Sequence, residues 1–237
     1  MDNIRYNFIV RRLATLGAIA TLTLCFLAAV SGVLLAFYYS PSTREAFASI
    51  ERISTEVPNG WLIRSLHDIA GNGLIVVSLV QIVVMFLGRQ FRLGWLTAWI
   101  SGIFLTLSAI ALSWTAMNLE WTQTGYWRLT LELGIIESIP AIGHSLREFL
   151  TGGEGIGTIT LQHLFTLHSY VLSIVATILS IVHLIGLLIQ ERQEKQLQAL
   201  AIETDTPKAP QQNQSDITPP ASEIEDDRKF NPSQGIA

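Results

Sequence analysis

Residues 60–88, GWLIRSLHDIAGNGLIVVSLVQIVVMFLG, decide how the rest of the chain is read. Arg64, His67 and Asp68 stand near the start, and from Ile69 to Leu87 no Asp, Glu, Lys or Arg follows. A run of that length suits a helix crossing the hydrocarbon core of a bilayer, which takes roughly 20 residues. A second charge-free window, Leu164–Ile189, carries His168 and His183. Histidine inside a membrane span is costly and usually faces a cavity, a partner helix or a bound group.

Two more windows, Leu13–Phe37 and Leu93–Met117, are also free of charge. The expected spans are therefore about 13–38, 66–88, 93–117 and 164–190. The fold class is an all-α, four-helix membrane bundle, with a membrane domain over residues 1–200. Composition agrees. The 237 residues are 49% hydrophobic and 14% charged, against about a quarter charged in soluble domains. A net charge of −4 carries no nucleic-acid footprint. Cys25 is the lone cysteine, which excludes an internal disulfide and a cysteine cluster, and it reads as packing. Arg11 and Arg12 precede the first window as in a signal peptide, but the apolar run is longer than such segments use.

Arg5, Arg11 and Arg12, then Arg89 and Arg92, then Arg192 and Lys195 flank the spans on one expected side. The positive-inside tendency puts both termini on the cytoplasmic or stromal side of a plasma or thylakoid membrane. Phe37, Tyr38, Trp61, Trp95 and Trp99 mark headgroup levels. Residues 121–153 read as short amphipathic helices on the membrane surface, broken at Pro140. Residues 203–237, rich in Pro, Gln, Ser and Asp, read as a disordered tail.

His168 and His183 are fifteen residues apart, so they face a similar side about 22 Å from one another. His67 opens its span at the depth of His168. Each imidazole has two readings, a hydrogen bond to a neighbouring helix or a ligand. Two such rings from two helices are a recognised way to hold a haem iron. Arg64, one turn before His67, is placed to pair with a propionate. Fourteen residues after His67 stands Gln81, whose amide is a poor axial ligand, so no six-coordinate haem is expected with His183. The remaining alternatives there are a five-coordinate haem on His183 and a site without one.

The segments FYYSPSTREAFASIERISTEVPNGWLIRSLH (37–67), LEWTQTGYW (119–127), ESIPAIGHSLREFLTGG (137–153) and TLHSYVL (166–172) carry a resemblance. The chain resembles the cytochrome b6 family, the four-helix counterpart of the N-terminal half of cytochrome b. The fifteen-residue histidine spacing is similar to the b6 branch. The resemblance implies that His67 and His168 ligate one haem b with Arg64 near its propionates, and that His183 matches one ligand of a second haem. It also implies departures. Gln81 replaces the other ligand, Leu16 stands where the b6 type attaches an extra haem through cysteine, and Val84 and Leu188 replace arginines. Thr106 replaces a glycine, while Ser113 and Ala116 replace glycines with small residues that still admit a porphyrin. Glu120 replaces a proline and Asp68 an arginine, which makes the surroundings of the first haem more acidic.

The implied partners are membrane lipid, quinol and other subunits of a bc/bf-type complex, including a cytochrome b C-terminal-half chain and an iron–sulfur protein, with a homodimer as a further expectation. The leading function is electron transfer within a quinol-linked oxidoreductase. The alternative is a structural or assembly paralogue that has lost turnover. A transporter finds no support, because the spans lack an internal carboxylate or a repeat.

Overall fold

The computed structural model describes residues 2–88, 95–153 and 155–205, with side chains described from residue 9 to residue 200 and at residue 202 within those segments. Arg89, Arg92 and the tail beyond Asp205 lie outside the described residues, as does Arg5 beyond its backbone. The order is α1 (Asp2–Ala36), α2 (Ala46–Thr55), α3 (Gly60–Leu87), α4 (Leu96–Leu119), α5 (Gln123–Glu137), α6 (Gly143–Thr151) and α7 (Thr158–Thr166). A π-helical segment, Leu167–Leu172, then leads into α8 (Ser173–Asp205). Among the described residues, four stretches are long and apolar enough to span a membrane: Ile9–Ala36, Gly60–Leu87, Leu96–Leu119 and Thr158–Leu200. Compact packing divides the chain into Met1–Lys195 and Gln196–Ala237.

The spans bury only a narrow face against one another. Phe26, Ile69, Val83, Phe104 and Ile178 point outward, each more than half exposed. An all-apolar helix that leaves such side chains uncovered is matched to lipid, where outward residues face hydrocarbon. Inside, small residues let the backbones approach. Ala14, Ala18 and Ala98 pack with Met85 and Leu187 at the end where α1 begins. Cys25, Leu74, Leu105, Ala109 and Ala176 fill the middle. Cys25 is thus a packing residue, with its Sγ 3.5 Å from Thr177 Oγ1. Arg11 pairs with Glu194 and ties α1 to α8 at the terminal end.

The opposite end, called the loop end below, carries α2, α5 and α6. Leu129, Leu133, Leu161 and Leu164 bury there with Ala46 and Leu119. Tyr39 Oη donates to Leu119 O at 2.8 Å, and burial raises its phenol above the ordinary value. The break between α5 and α6 falls at residues 138–142 around Pro140, with Ala141 at φ 69°. Thr122 caps α5 by accepting from Gly125 N at 3.0 Å.

Two features depart from the sequence reading. α3 begins at Gly60 and the last apolar stretch at Thr158, each six residues ahead of the expected starts at 66 and 164. Asn59 at φ 59° turns the chain after Pro58, and a Cβ on Gly60 would fall 1.9 Å from Ile53 O, so α2 and α3 meet where only glycine fits. The other departure is at the far end of α8, which continues through residues 203–205, where the sequence alone reads as tail.

Candidate functional site

α3 and the π segment bring His67 and His168 together at the loop end, edge to face. Their ring centres are 6.3 Å apart and the planes are inclined by 62°. A metal–imidazole bond of about 2 Å, plus about 1.1 Å from nitrogen to ring centre, would put two rings about 6.2 Å apart across one metal. The pair meets that requirement. Each ring is held through Nδ1. His67 Nδ1 lies 2.9 Å from Ala28 O and 3.2 Å from Ser31 Oγ, both on α1. His168 Nδ1 lies 3.1 Å from Leu112 O and 2.9 Å from Thr115 Oγ1, both on α4. A carbonyl only accepts, so both Nδ1 atoms carry a proton, and in the neutral tautomer this leaves the lone pair on Nε2.

His183, at the terminal end of α8, is held in the same way. Its Nδ1 lies 2.9 Å from Ala98 O and 3.4 Å from Ser101 Oγ. One arrangement thus recurs three times: a carbonyl at position i, a hydroxyl at i+3 and a small residue at i+4. Residues 28, 31 and 32 form it on α1; residues 98, 101, 102 and 112, 115, 116 form it on α4. The small residue lets the ring lie on the backbone. A Cβ on Gly32 would be 3.0 Å from His67 Cε1, and one on Gly102 would be 2.9 Å from His183 Cε1. Ala116 occupies the equivalent place below His168, and Ser113 lies half-buried in the same turn.

A fourth cradle exists on α1. Ala14 O accepts from Gln81 Nε2 at 2.8 Å, and the i+3 and i+4 positions are Gly17 and Ala18. Each helix therefore repeats its site positions after fourteen residues: 14 and 28, 67 and 81, 98 and 112. α8 is the exception, with fifteen between its histidines. The π segment accounts for the difference, since a π turn takes up one residue more than an α turn. The extra residue keeps α8 in phase with the other three helices, and π turns often sit at functional positions.

Arg64 sits one turn before His67 and is already paired. Its NH1 donates to Ser54 Oγ at 3.0 Å and its NH2 to Glu120 Oε1 at 2.8 Å, with Asp68 Oδ2 4.0 Å from Nε. The Glu120 carboxylate is aimed by the turn between α4 and α5, where Trp121 takes φ 51° and stacks edge-on to Tyr126. A bulky residue in that backbone region is strained, and such strain gathers at functional sites. Between these groups lies a half-open cleft of about 220 Å³, walled by Phe47, Ile50, Glu51, Arg64 and Glu120.

Ser31, Thr115, Ser101, Gly32, Gly102 and Gly17 are the residues that sequence reading did not single out. The signal was diluted: a Ser or Thr followed by Ala or Gly occurs at 97, 101, 108 and 115 in α4 and at 31 in α1, and only the pairs at 31, 101 and 115 lie against a ring.

Fold and site together define a class: a multi-pass membrane bundle whose inner imidazoles are anchored through Nδ1 to backbone carbonyls of neighbouring helices. Comparison with known proteins narrows it. The family described as Cytochrome b/b6/petB matches residues 3–191. The chain is 37% identical over 164 residues to cytochrome b6 of Cyanidium caldarium, covering 69% of this chain and 76% of that one. It is 34% identical over 160 residues to cytochrome b6 of Mesostigma viride, covering 67% and 74%. Among solved structures, a chain of a hyperthermophilic respiratory Complex III superposes with TM-score 0.61 at 24% identity, over 74% of this chain and 47% of that one, and shares the fold. This chain belongs to the cytochrome b/b6 family, whose members bind b-type haem.

Proposed function

We propose that this chain is a membrane electron-transfer subunit that holds a b-type haem between His67 and His168. The observation that carries the reading is the opposed imidazole pair, with ring centres 6.3 Å apart and both Nδ1 atoms tied to carbonyls. Among the described residues no three His, Cys, Asp or Glu side chains gather to hold a bare metal ion. Two imidazole nitrogens would suit a metal centre that brings its remaining ligands with it, as a porphyrin does. When bound, haem supplies a one-electron donor and acceptor.

The chain's own residues set the conditions. Ala28 O and Leu112 O fix the tautomer and ring direction, and Ser31 and Thr115 support them from the side. Such outer partners are often as important to a metal site as the ligands themselves. Gly32 and Ala116 leave room for a planar group beside the helices. Arg64 supplies a cation for propionates, tempered by Glu120 and Asp68. The cleft beside Arg64 offers an apolar wall and carboxylates, in keeping with a quinol pocket completed by another subunit. Its place is a bc/bf-type complex with a C-terminal-half chain and an iron–sulfur protein. The arginines of the terminal end favour cytoplasmic or stromal termini.

The test is a reduced-minus-oxidised spectrum of the purified full chain, with titration by a quinol analogue. A b-type α-band that disappears in both His67→Ala and His168→Ala supports the reading. A folded wild-type chain without that band ends it. A structural paralogue is the second reading, and what favours it is the protein-only hydrogen bond between Gln81 and His183.

A further inference from the structure

The terminal-end level of the bundle is built differently from the loop-end level. Gln81 and His183 are 4% and 1% exposed. The Gln81 amide nitrogen donates to Ala14 O at 2.8 Å and lies 3.2 Å from His183 Nε2. Because Ala14 O can only accept, the NH₂ group and not the amide oxygen faces this way. Its second hydrogen points to His183 Nε2, whose own Nδ1 proton is committed to Ala98 O at 2.9 Å. The result is a continuous chain of hydrogen bonds from α1 through α3 and α8 to α4, with every polarity consistent.

The spacing excludes a shared metal. Two nitrogens on opposite sides of one metal stand about 4 Å apart, twice a bond of about 2 Å. The observed 3.2 Å is a hydrogen-bond distance. The amide oxygen, the better ligand atom of the side chain, is turned away into the space above Gly17, where a Cβ would fall 2.1 Å from it. Gly17 is thus the complement of Gln81. The donor set fits a helix-to-helix latch and does not fit an axial haem site.

We infer that the Gln81 amide caps the axial nitrogen of His183, so that this level takes no haem, and that the latch joins four helices in place of a prosthetic group. Taken with the reading of His67 and His168, on which the total rests, the chain carries one haem. It then has no second redox centre to relay an electron along the bundle to the terminal end, about 21 Å away over fourteen residues. Electrons enter and leave from the loop end.

The experiment counts haem against protein in the purified full chain by the pyridine haemochrome method, with a carbon monoxide difference spectrum, for wild type and Gln81→His. The expected results are one haem per wild-type chain, no carbon monoxide-induced shift, and two haems in Gln81→His, because an imidazole at 81 meets the ready Ala14 carbonyl. Two haems, or one that binds carbon monoxide, in the wild type would overturn the inference. A count that does not rise in a folded Gln81→His overturns the assignment of closure to the amide. A wild type with no haem overturns the reading of His67 and His168 instead, and a gain of one haem in Gln81→His would still support the latch.

Discussion

The two histidine levels of this bundle use the same parts and reach opposite ends. At the loop end, two imidazoles face each other across 6.3 Å between ring centres, and neither Nε2 is drawn into the cradle that holds its ring. At the terminal end, the same cradle on α4 holds His183, but the fourth position carries an amide that reaches its Nε2 directly. The cradles, the small residues and the fourteen-residue repeat are retained at both. What separates the paired imidazoles from the closed latch is one side chain. A buried imidazole needs a partner for each nitrogen, and where no metal-binding partner faces it the protein supplies a hydrogen bond.

The sharpest way to break this contrast is to remove one imidazole from each level in turn. His67→Ala or His168→Ala should abolish the b-type band, while His183→Ala should leave its position and intensity per folded chain unchanged. Equal losses in all three, read by absorbance on monodisperse protein, would mean that the levels are not distinct. The next effect is on the supports. Ser31→Ala and Thr115→Ala should speed haem loss to an acceptor protein and weaken binding by about 10- to 100-fold, the range found for outer partners of metal ligands.

A third substitution acts on the latch alone. Gly17→Ala places a methyl group against Gln81 Oε1 and should displace the amide from Ala14 O and His183 Nε2. Leaving those buried groups unpaired costs about 1–3 kcal/mol, read as a lower unfolding midpoint in detergent with an unchanged haem band. A matching drop in haem content would show that the two levels are coupled. The smallest effect concerns charge. Glu120→Gln removes the carboxylate 2.8 Å from Arg64 and should raise the haem midpoint potential, because the reduced centre is the more negative one. The exposure of the pair limits the shift to about 20–40 mV, less than 1 kcal/mol. A fall in potential on redox titration would contradict this.

How much of this was legible from sequence depended on the kind of group involved. The spans were legible because absence of charge over some twenty residues has one common physical cause. His67, His168, His183 and Gln81 stood out because polar side chains in such runs need a reason. The break at Pro140 was visible because proline cannot continue a helix. Their anchors were not, since Ala28, Ala98 and Leu112, which hold the rings, and Ala14, which holds Gln81, act through carbonyls that any residue possesses. Glu120 met Arg64 only through the tertiary fold, across 56 positions of sequence. α2 is short, and its amphipathic pattern lies in a loop where no long period announces it.

The wide turn at His168 gives the last helix an adjustable pitch. Fifteen residues there do the angular work of fourteen elsewhere, so both rings of the helix meet α4 in phase. Removing one residue from the segment would close the wide turn into an ordinary α turn and restore the fourteen-residue interval of the other helices, with both rings still on their α4 seats. Removing one from the plain helix beyond it would instead swing His183 by about 100°, off the seat that α4 provides.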